Sequence, residues 1–289
     1  MKNPNSYIKI FISVVTLLTF AQLGYSQVEE PDLREGERIA TDLGNLYNKG
    51  ISFNIVVNNF GLGLGGDFRR VVSPQTEMLA TVRFAGVRDV TEQTFTSFFG
   101  QQVVPNKYKR AFAFPLLVGL RHRLFGDRVQ DNYRFFVSAM GGPVAAFTYP
   151  YFDDANNNDY RETGNEYELF EQDGELFISY AQSERVNDIF TGWSEGDWHW
   201  GAAGEVKLGM DIGSNFSRLT SVEFGYYFNY FPDGIQVMQP NQPDLRENVP
   251  PGESPFQFNN EGEVILEPFS DAQKWFGTPQ ITLTFGKLW

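Results

Sequence analysis

Along most of the chain apolar and polar positions alternate with period two, the period of a strand whose two faces meet different surroundings. The rhythm is cleanest in WHWGAAGEVKLGMDI, where Trp198, Trp200, Ala202, Val206, Leu208, Met210 and Ile212 share one face and His199, Glu205, Lys207 and Asp211 the other. RAFAFPLLVGLRHRLF repeats it, with Phe112, Phe114, Leu116, Val118, Leu120 and Leu124 opposed to Arg121 and Arg123. In RLTSVEFGYYFNYF, Val222, Phe224, Tyr226, Phe228 and Tyr230 oppose Glu223, Tyr227 and Asn229. Weaker copies are ISFNIVV, FGLGLGGDFRR, EMLATVRFAGV, NYRFFVSAMGGPVAAF and the closing ITLTFGKLW, so about eight strands are expected. Most are near the roughly ten residues that a tilted strand needs to cross a bilayer. Helical signal is confined to a short polar stretch, Pro31 to Tyr47.

A two-sheet sandwich alternates as well, so the setting of the two faces has to decide. In a sandwich the apolar face is buried, whereas in a membrane barrel it meets lipid and the polar face looks into the lumen. Aromatic residues gather at segment ends, at Trp198 and Trp200, Tyr226 to Phe231, Tyr149 to Phe152, and Trp289. That is where headgroup belts would lie. Connections also alternate in length. SPQT near Ser73, GDRVQDN near Gly126 and GSNFS near Gly213 are short, while the stretches from Asp89 to Lys109, Pro150 to Asp197 and Pro232 to Lys274 are long. Tight turns on one side and long loops on the other are the asymmetry of outer-membrane barrels. An even strand count further requires a turn at Asn58-Asn59, which asparagines favour.

Composition sharpens this picture in three places. The chain carries 28 Phe, 13 Tyr and 5 Trp, a composition suited to strands and interfaces. A net charge of -13 excludes a nucleic-acid partner, since nothing could neutralise a row of phosphates. The absence of cysteine excludes disulfides, thiolate metal sites and a lipidated N-terminal cysteine. At the N-terminus, Lys2 and Lys9 precede an apolar run from Ile10 to Phe20 and the small residues Gly24 and Ser26. This predicts a secretory signal peptide over residues 1–26, too short to span a bilayer. Residues 27–49 then read as a periplasmic segment and 50–289 as the barrel.

The closing strand, with Ile281, Leu283, Phe285 and the terminal Trp289, resembles the C-terminal signal that the barrel insertion machinery reads in bacterial outer membranes. With the leader and the turn-and-loop asymmetry, the chain resembles small outer-membrane β-barrels of the outer-membrane-protein-A-like type, or the Bacteroidota-type barrel without a periplasmic domain. It departs from the two-domain members, since no peptidoglycan-binding domain follows. The resemblance implies an all-β, antiparallel up-and-down transmembrane barrel of about eight strands, located in the bacterial outer membrane among lipid and lipopolysaccharide.

Parity assigns Glu77, Arg83, Arg121, Arg123, Glu205, Lys207, Asp211 and Glu223 to the lumen. An interior of about eight strands is only wide enough for side chains, so these residues are expected to pair and fill it; a charged pore is the alternative. In YFDDANNNDYRE, the spacing of Asp154, Asn156, Asn158, Tyr160 and Glu162 is similar to loops that wrap Ca2+ with alternate oxygens. Asp159 stands where such loops place Gly, and a solvated acidic loop is the other reading. No cofactor other than this candidate Ca2+ is expected. Asp173-Gly174 predicts a hairpin within the same loop, and Glu263 to Leu266 a short strand in the next. Gly61, Gly63 and Gly65 are expected to pack flat inward rather than to form a phosphate loop.

Only His122 and His199 are present. His122 falls on the apolar face near the periplasmic rim, and His199 points inward near the outer rim beside Ser194, Glu195 and Asp197. The expected role is structural or recognition work by acidic surface loops toward an extracellular partner that the sequence does not identify, without enzymatic activity. A narrow porin or small-solute channel is the second reading, and an outer-leaflet lipid enzyme using His199 the third.

Overall fold

The computed structural model describes residues 47–96, 102–125, 133–154, 157–161, 167–172, 175–180, 184–213, 217–247, 249, 255–259 and 264–289. The expected leader and the helix-like stretch from Pro31 lie outside them.

Eight antiparallel strands close a barrel: β1 (Lys49–Asn58), β2 (Gly61–Ser73), β3 (Thr76–Val87), β4 (Lys109–Arg123), β5 (Tyr133–Pro150), β6 (Asp197–Ile212), β7 (Leu219–Ile235) and β8 (Gln273–Leu288). Each strand pairs with its sequence neighbours, and the ring closes where β1 meets β8, from Gly50↔Leu288 to Asn58↔Gln280. The turn expected at Asn58-Asn59 is present one residue later, at Asn59-Phe60. Asn58 Oδ1 accepts the N–H of Phe60 at 2.9 Å, and Gly61 takes φ 116° to bring the chain back. The strand count is therefore even.

Short ladders decorate the long connections. Tyr167–Gln172 pairs with Glu175–Tyr180 across the two-residue link at Asp173-Gly174. In the third loop the strand expected at Glu263 to Leu266 begins instead at Leu266, and Leu266–Pro268 pairs with Asn241–Pro243. The tight turns after β4 and β6 lie largely outside the described residues.

Side-chain direction follows the parity of the sequence. Leu116, Val118, Leu120, Val206, Leu208, Phe224 and Phe285 point outward and are 47–64% exposed. At half exposure, each side chain of this size would cost roughly 1 kcal/mol in water. A continuous outer belt of them suits hydrocarbon instead. Trp198, Trp200, Trp275 and Trp289 stand on the outer surface toward the strand ends, whereas Tyr226, also outward, lies at the middle of β7.

Some aromatic residues expected at the headgroup level are elsewhere. Phe231 is buried on the inward parity of β7, and Tyr149, Tyr151 and Phe152 are buried under loop segments. Inside, Gly65 leaves room for the side chain of Asn54, its partner on β1, which leans across it toward Asp67: a Cβ there would lie 2.5 Å from Asn54 Oδ1.

Val118 pairs with Gly141 midway along the wall. Val118→Arg is expected to cost about 2–4 kcal/mol in urea unfolding from phospholipid vesicles, whereas the same change at exposed Glu247 should be nearly neutral.

Candidate functional site: the charged lumen and the covered mouth

The inner half of the lumen holds five cations, Arg69, Arg83, Arg121, Arg123 and Lys207, and five carboxylates, Asp67, Glu77, Glu205, Asp211 and Glu223, all buried. They form one chain of alternating sign. Arg69 sits between Asp67 (3.4 Å) and Glu77 (3.6 Å), and Arg123 between Glu77 (3.6 Å) and Asp211 (3.5 Å). Arg121 joins Asp211 (3.4 Å) to Glu223 (2.7 Å), Lys207 joins Glu223 (2.7 Å) to Glu205 (2.9 Å), and Arg83 ends the chain on Glu205 at 3.0 Å. The eight residues assigned to the lumen by parity are thus brought into one network.

Asp67 and Arg69 complete the network and were not singled out from the sequence. Parity with Gly63 and Gly65 on β2 places them inward, a weak signal because glycines do not mark a face.

Neutral side chains, several of them on strands without lumen charges, supply further partners. Ser52 (3.0 Å), Asn54 (2.8 Å) and Thr81 (2.7 Å) donate to Asp67, and Ser221 donates to Asp211 at 2.6 Å. From β8, Gln280 donates to Glu205 (2.7 Å) and Thr284 to Glu223 (3.2 Å). On β5, the Phe136 ring lies 3.3 Å from the Arg121 guanidinium, where its π face attracts the cation. The ion-paired layer therefore also ties the closing strands β1 and β8 to the rest of the wall.

Above this layer the interior changes character. Val87, Ala111, Ala113, Leu117, Val144, Ala146, Ala203, Tyr227, Phe231 and Phe276 form one buried cluster. The outer half of the lumen is thus largely apolar, with Asn229, Thr278 and Thr148 as buried polar members, against the expectation of a polar face throughout. Its top is covered by the chain that follows β7. In the ring, β7 and β4 are not neighbours, yet Val237 O accepts the N–H groups of Tyr108 (2.9 Å) and Lys109 (3.1 Å), and Gln239 N–H donates to Asn106 O at 2.8 Å. To reach β4 from β7, the segment has to cross the mouth. Val237, Met238 and Gln239 are buried there.

The loops are bonded to one another as well as to the barrel. Tyr151 N–H donates to Tyr108 O, and Asn187 N–H to Tyr151 O, both at 2.9 Å. Lys107 Nζ reaches Glu92 at 2.9 Å, and burial lowers its pKa despite that carboxylate. Burial, and then its hydrogen bond to Asp159, raise the Tyr108 phenol.

In the candidate calcium loop, Asp154 Oδ1 and Oδ2 accept the N–H groups of Asn158 (3.2 Å) and Asp159 (3.0 Å), and Asn158 Oδ1 accepts that of Tyr160 at 2.8 Å. Asp159 takes φ 60°, the left-handed turn that calcium loops give to Gly. Asn156 and Glu162 lie outside the described residues.

Of the two histidines, His122 bonds Thr76 Oγ1 at 3.0 Å. His199 Nε2 bonds Thr148 Oγ1 at 3.0 Å, while Ser194 and Glu195 sit on an exposed turn.

Fold and lumen together define a closed antiparallel eight-stranded barrel with a packed, ion-paired interior. No family model and no curated protein sequence matches the chain. Among solved structures it is similar to the N-terminal β-barrel domain of Pseudomonas aeruginosa OprF, at 6% identity and TM-score 0.30, over 83% of this chain and 98% of that one. Neisserial surface protein A is similar at 6% identity and TM-score 0.32, over 83% and 94%. Acinetobacter baumannii CarO is similar at 11% identity and TM-score 0.28, over 82% and 97%. The fold rests on the strand pairing itself, to which likenesses at these scores add nothing.

Arg83→Met is expected to cost about 3–5 kcal/mol by leaving Glu205 short of a counter-ion. Adding Glu205→Gln should recover more than half of that loss in the same urea titration, a coupling that a double-mutant cycle reads directly.

Proposed function

We propose that the chain is a bacterial outer-membrane barrel whose interior is a structural core and whose work is done by its extracellular surface, in anchoring or recognition. Outer-membrane placement is supported by the outward apolar belt, the leader sequence and the turn-and-loop asymmetry. One observation carries the functional reading: the lumen is filled twice over, by a neutral network of paired charges and by an apolar layer beneath a segment that crosses the mouth. A narrow channel would need a wetted path through both. An outer-leaflet lipid enzyme would need His199 aligned with a nucleophile and an acid, whereas its Nε2 is engaged by Thr148. The partners on this reading are outer-leaflet lipid, lipopolysaccharide, the insertion machinery and an unidentified extracellular ligand of the loops.

The purified barrel in planar bilayers is expected to give no stepwise ion current. Reproducible single-channel steps from the wild type would replace this reading with the channel.

A second reading concerns the loop at Asp154, favoured by the left-handed Asp159 at the position where calcium loops place Gly for a sharp turn. On it, Asp154, Asn156, Asn158, the Tyr160 carbonyl and Glu162 would hold Ca2+ by oxygen donors. Calcium is then expected to slow proteolysis between Tyr151 and Tyr180, and Asp154→Ala with Asn156→Ala to abolish that protection. Protection unchanged by the two substitutions removes the metal.

A further inference from the structure

The second extracellular loop does not stay above the barrel. After Asn187 bonds to Tyr151, the chain descends over the outside of the wall before entering β6. Trp193 meets Phe147 and Tyr149 edge-on, at centroid distances of 6.4 and 6.1 Å. Both are residues of β5 with the same parity as outward Tyr133, Phe135 and Val137. Tyr149 is consequently 0% exposed, although it lies on the outer face. At Gly196 a Cβ would run into the Phe147 ring, so glycine permits the close approach.

The polar backbone of this segment is engaged by protein groups. Ile189 O accepts from Tyr149 Oη (3.0 Å) and Trp193 Nε1 (2.8 Å), and Arg110 donates to Asn187 O (2.7 Å) and Asp188 O (3.0 Å). Asp188 Oδ1 accepts the N–H groups of Phe190 and Thr191, both at 2.8 Å. The apolar side chains do the opposite: Ile189 is 53%, Phe190 75% and Trp193 48% exposed. Engaged backbone with apolar side chains turned out is the arrangement that a poorly hydrated boundary demands. In water it would expose the apolar side chains for no gain.

The level on the wall agrees. A strand rising about 3.3 Å per residue and tilted about 40° gains roughly 2.5 Å of height per residue. Phe135 and Phe147 on β5 are then about 30 Å apart along the membrane normal, the thickness of a hydrocarbon core. Trp193 rests on the upper of the two. Phe147 also packs on Trp198 at 5.1 Å, and Trp198 on Phe114 at 5.8 Å, so the segment continues the lipid-facing surface without a gap.

We propose that residues 187–196 form a membrane-seated arm, with Ile189, Phe190 and Trp193 in the boundary between headgroups and acyl chains of the outer leaflet. The proposal rests on the membrane reading above and adds a lipid contact outside the strands. Because the chain has no cysteine, single cysteines can be placed at Ile189, Phe190, Val118 and Glu247 and labelled with an environment-sensitive fluorophore. The labelled proteins are folded into phosphatidylcholine vesicles that carry lipid quenchers at shallow or deep positions.

Labels at Ile189 and Phe190 are expected to be quenched several-fold more than the label at Glu247, and best by the shallow quencher. The Val118 label should respond best to the deep one. Quenching at both arm sites no greater than at Glu247 overturns the arm while leaving the barrel in place, and so does a preference of both for the deep quencher. Loss of quenching at Val118 overturns the membrane reading itself.

Discussion

The structure depends on ten buried charges that sum to zero. Removing an ion from water costs several kcal/mol even after relaxation, so ten isolated charges in this lumen would prevent folding. Two opposite charges about 3 Å apart attract by roughly 5 kcal/mol at an effective dielectric near 20, which only balances the penalty of one partner. Alternation tips the sum, because every interior member of the chain touches at least two opposite charges. The two ends are relieved differently. Asp67 accepts from Ser52, Asn54 and Thr81, and Arg83 faces the Tyr227 ring at 5.5 Å.

This network also solves a problem of closure. β1 and β8 meet only when the whole ring has formed, and neither brings a lumen charge among its described residues. Their contribution is Ser52, Asn54, Gln280 and Thr284, each bonded to a carboxylate anchored on another strand. Closing the seam therefore completes the solvation of the network, and a satisfied network rewards closing the seam. Local pairing and lumen chemistry favour the same register, the agreement between levels that a specified fold requires.

How much of this could be read from residue order follows from what alternation measures. It reports a difference between two faces, so it was strong in WHWGAAGEVKLGMDI and RLTSVEFGYYFNYF and gave the strands and eight of the ten lumen charges. Asp67 and Arg69 escaped because the inward residues before them are Gly63 and Gly65, which leave the face without side chains to compare. In the upper part of β4, inward Ala111, Ala113 and Leu117 oppose outward Phe112, Phe114 and Leu116. Both faces are apolar there, and period two carries no information on what lies inside. The crossing of the mouth pairs Lys107 with Met238, a contact between distant segments that no local pattern encodes. The arm was invisible for a related reason, as Phe190 and Trp193 sit in a stretch with no regular strand period.

A filled lumen has a consequence for where specificity can reside. Ligand selection in a small barrel needs either space inside or a surface outside, and the paired charges and the apolar layer occupy the first. The described outer segments are not loose tethers: Val237, Tyr108, Tyr151 and Asn187 are joined in sequence by backbone hydrogen bonds, and the chain beyond Asn187 is pinned to the wall by Arg110 and Tyr149. A partner that docks on a surface already ordered pays less conformational entropy than one that must order free loops. Core and mouth thus make the same physical contribution, holding the described outer segments in one arrangement.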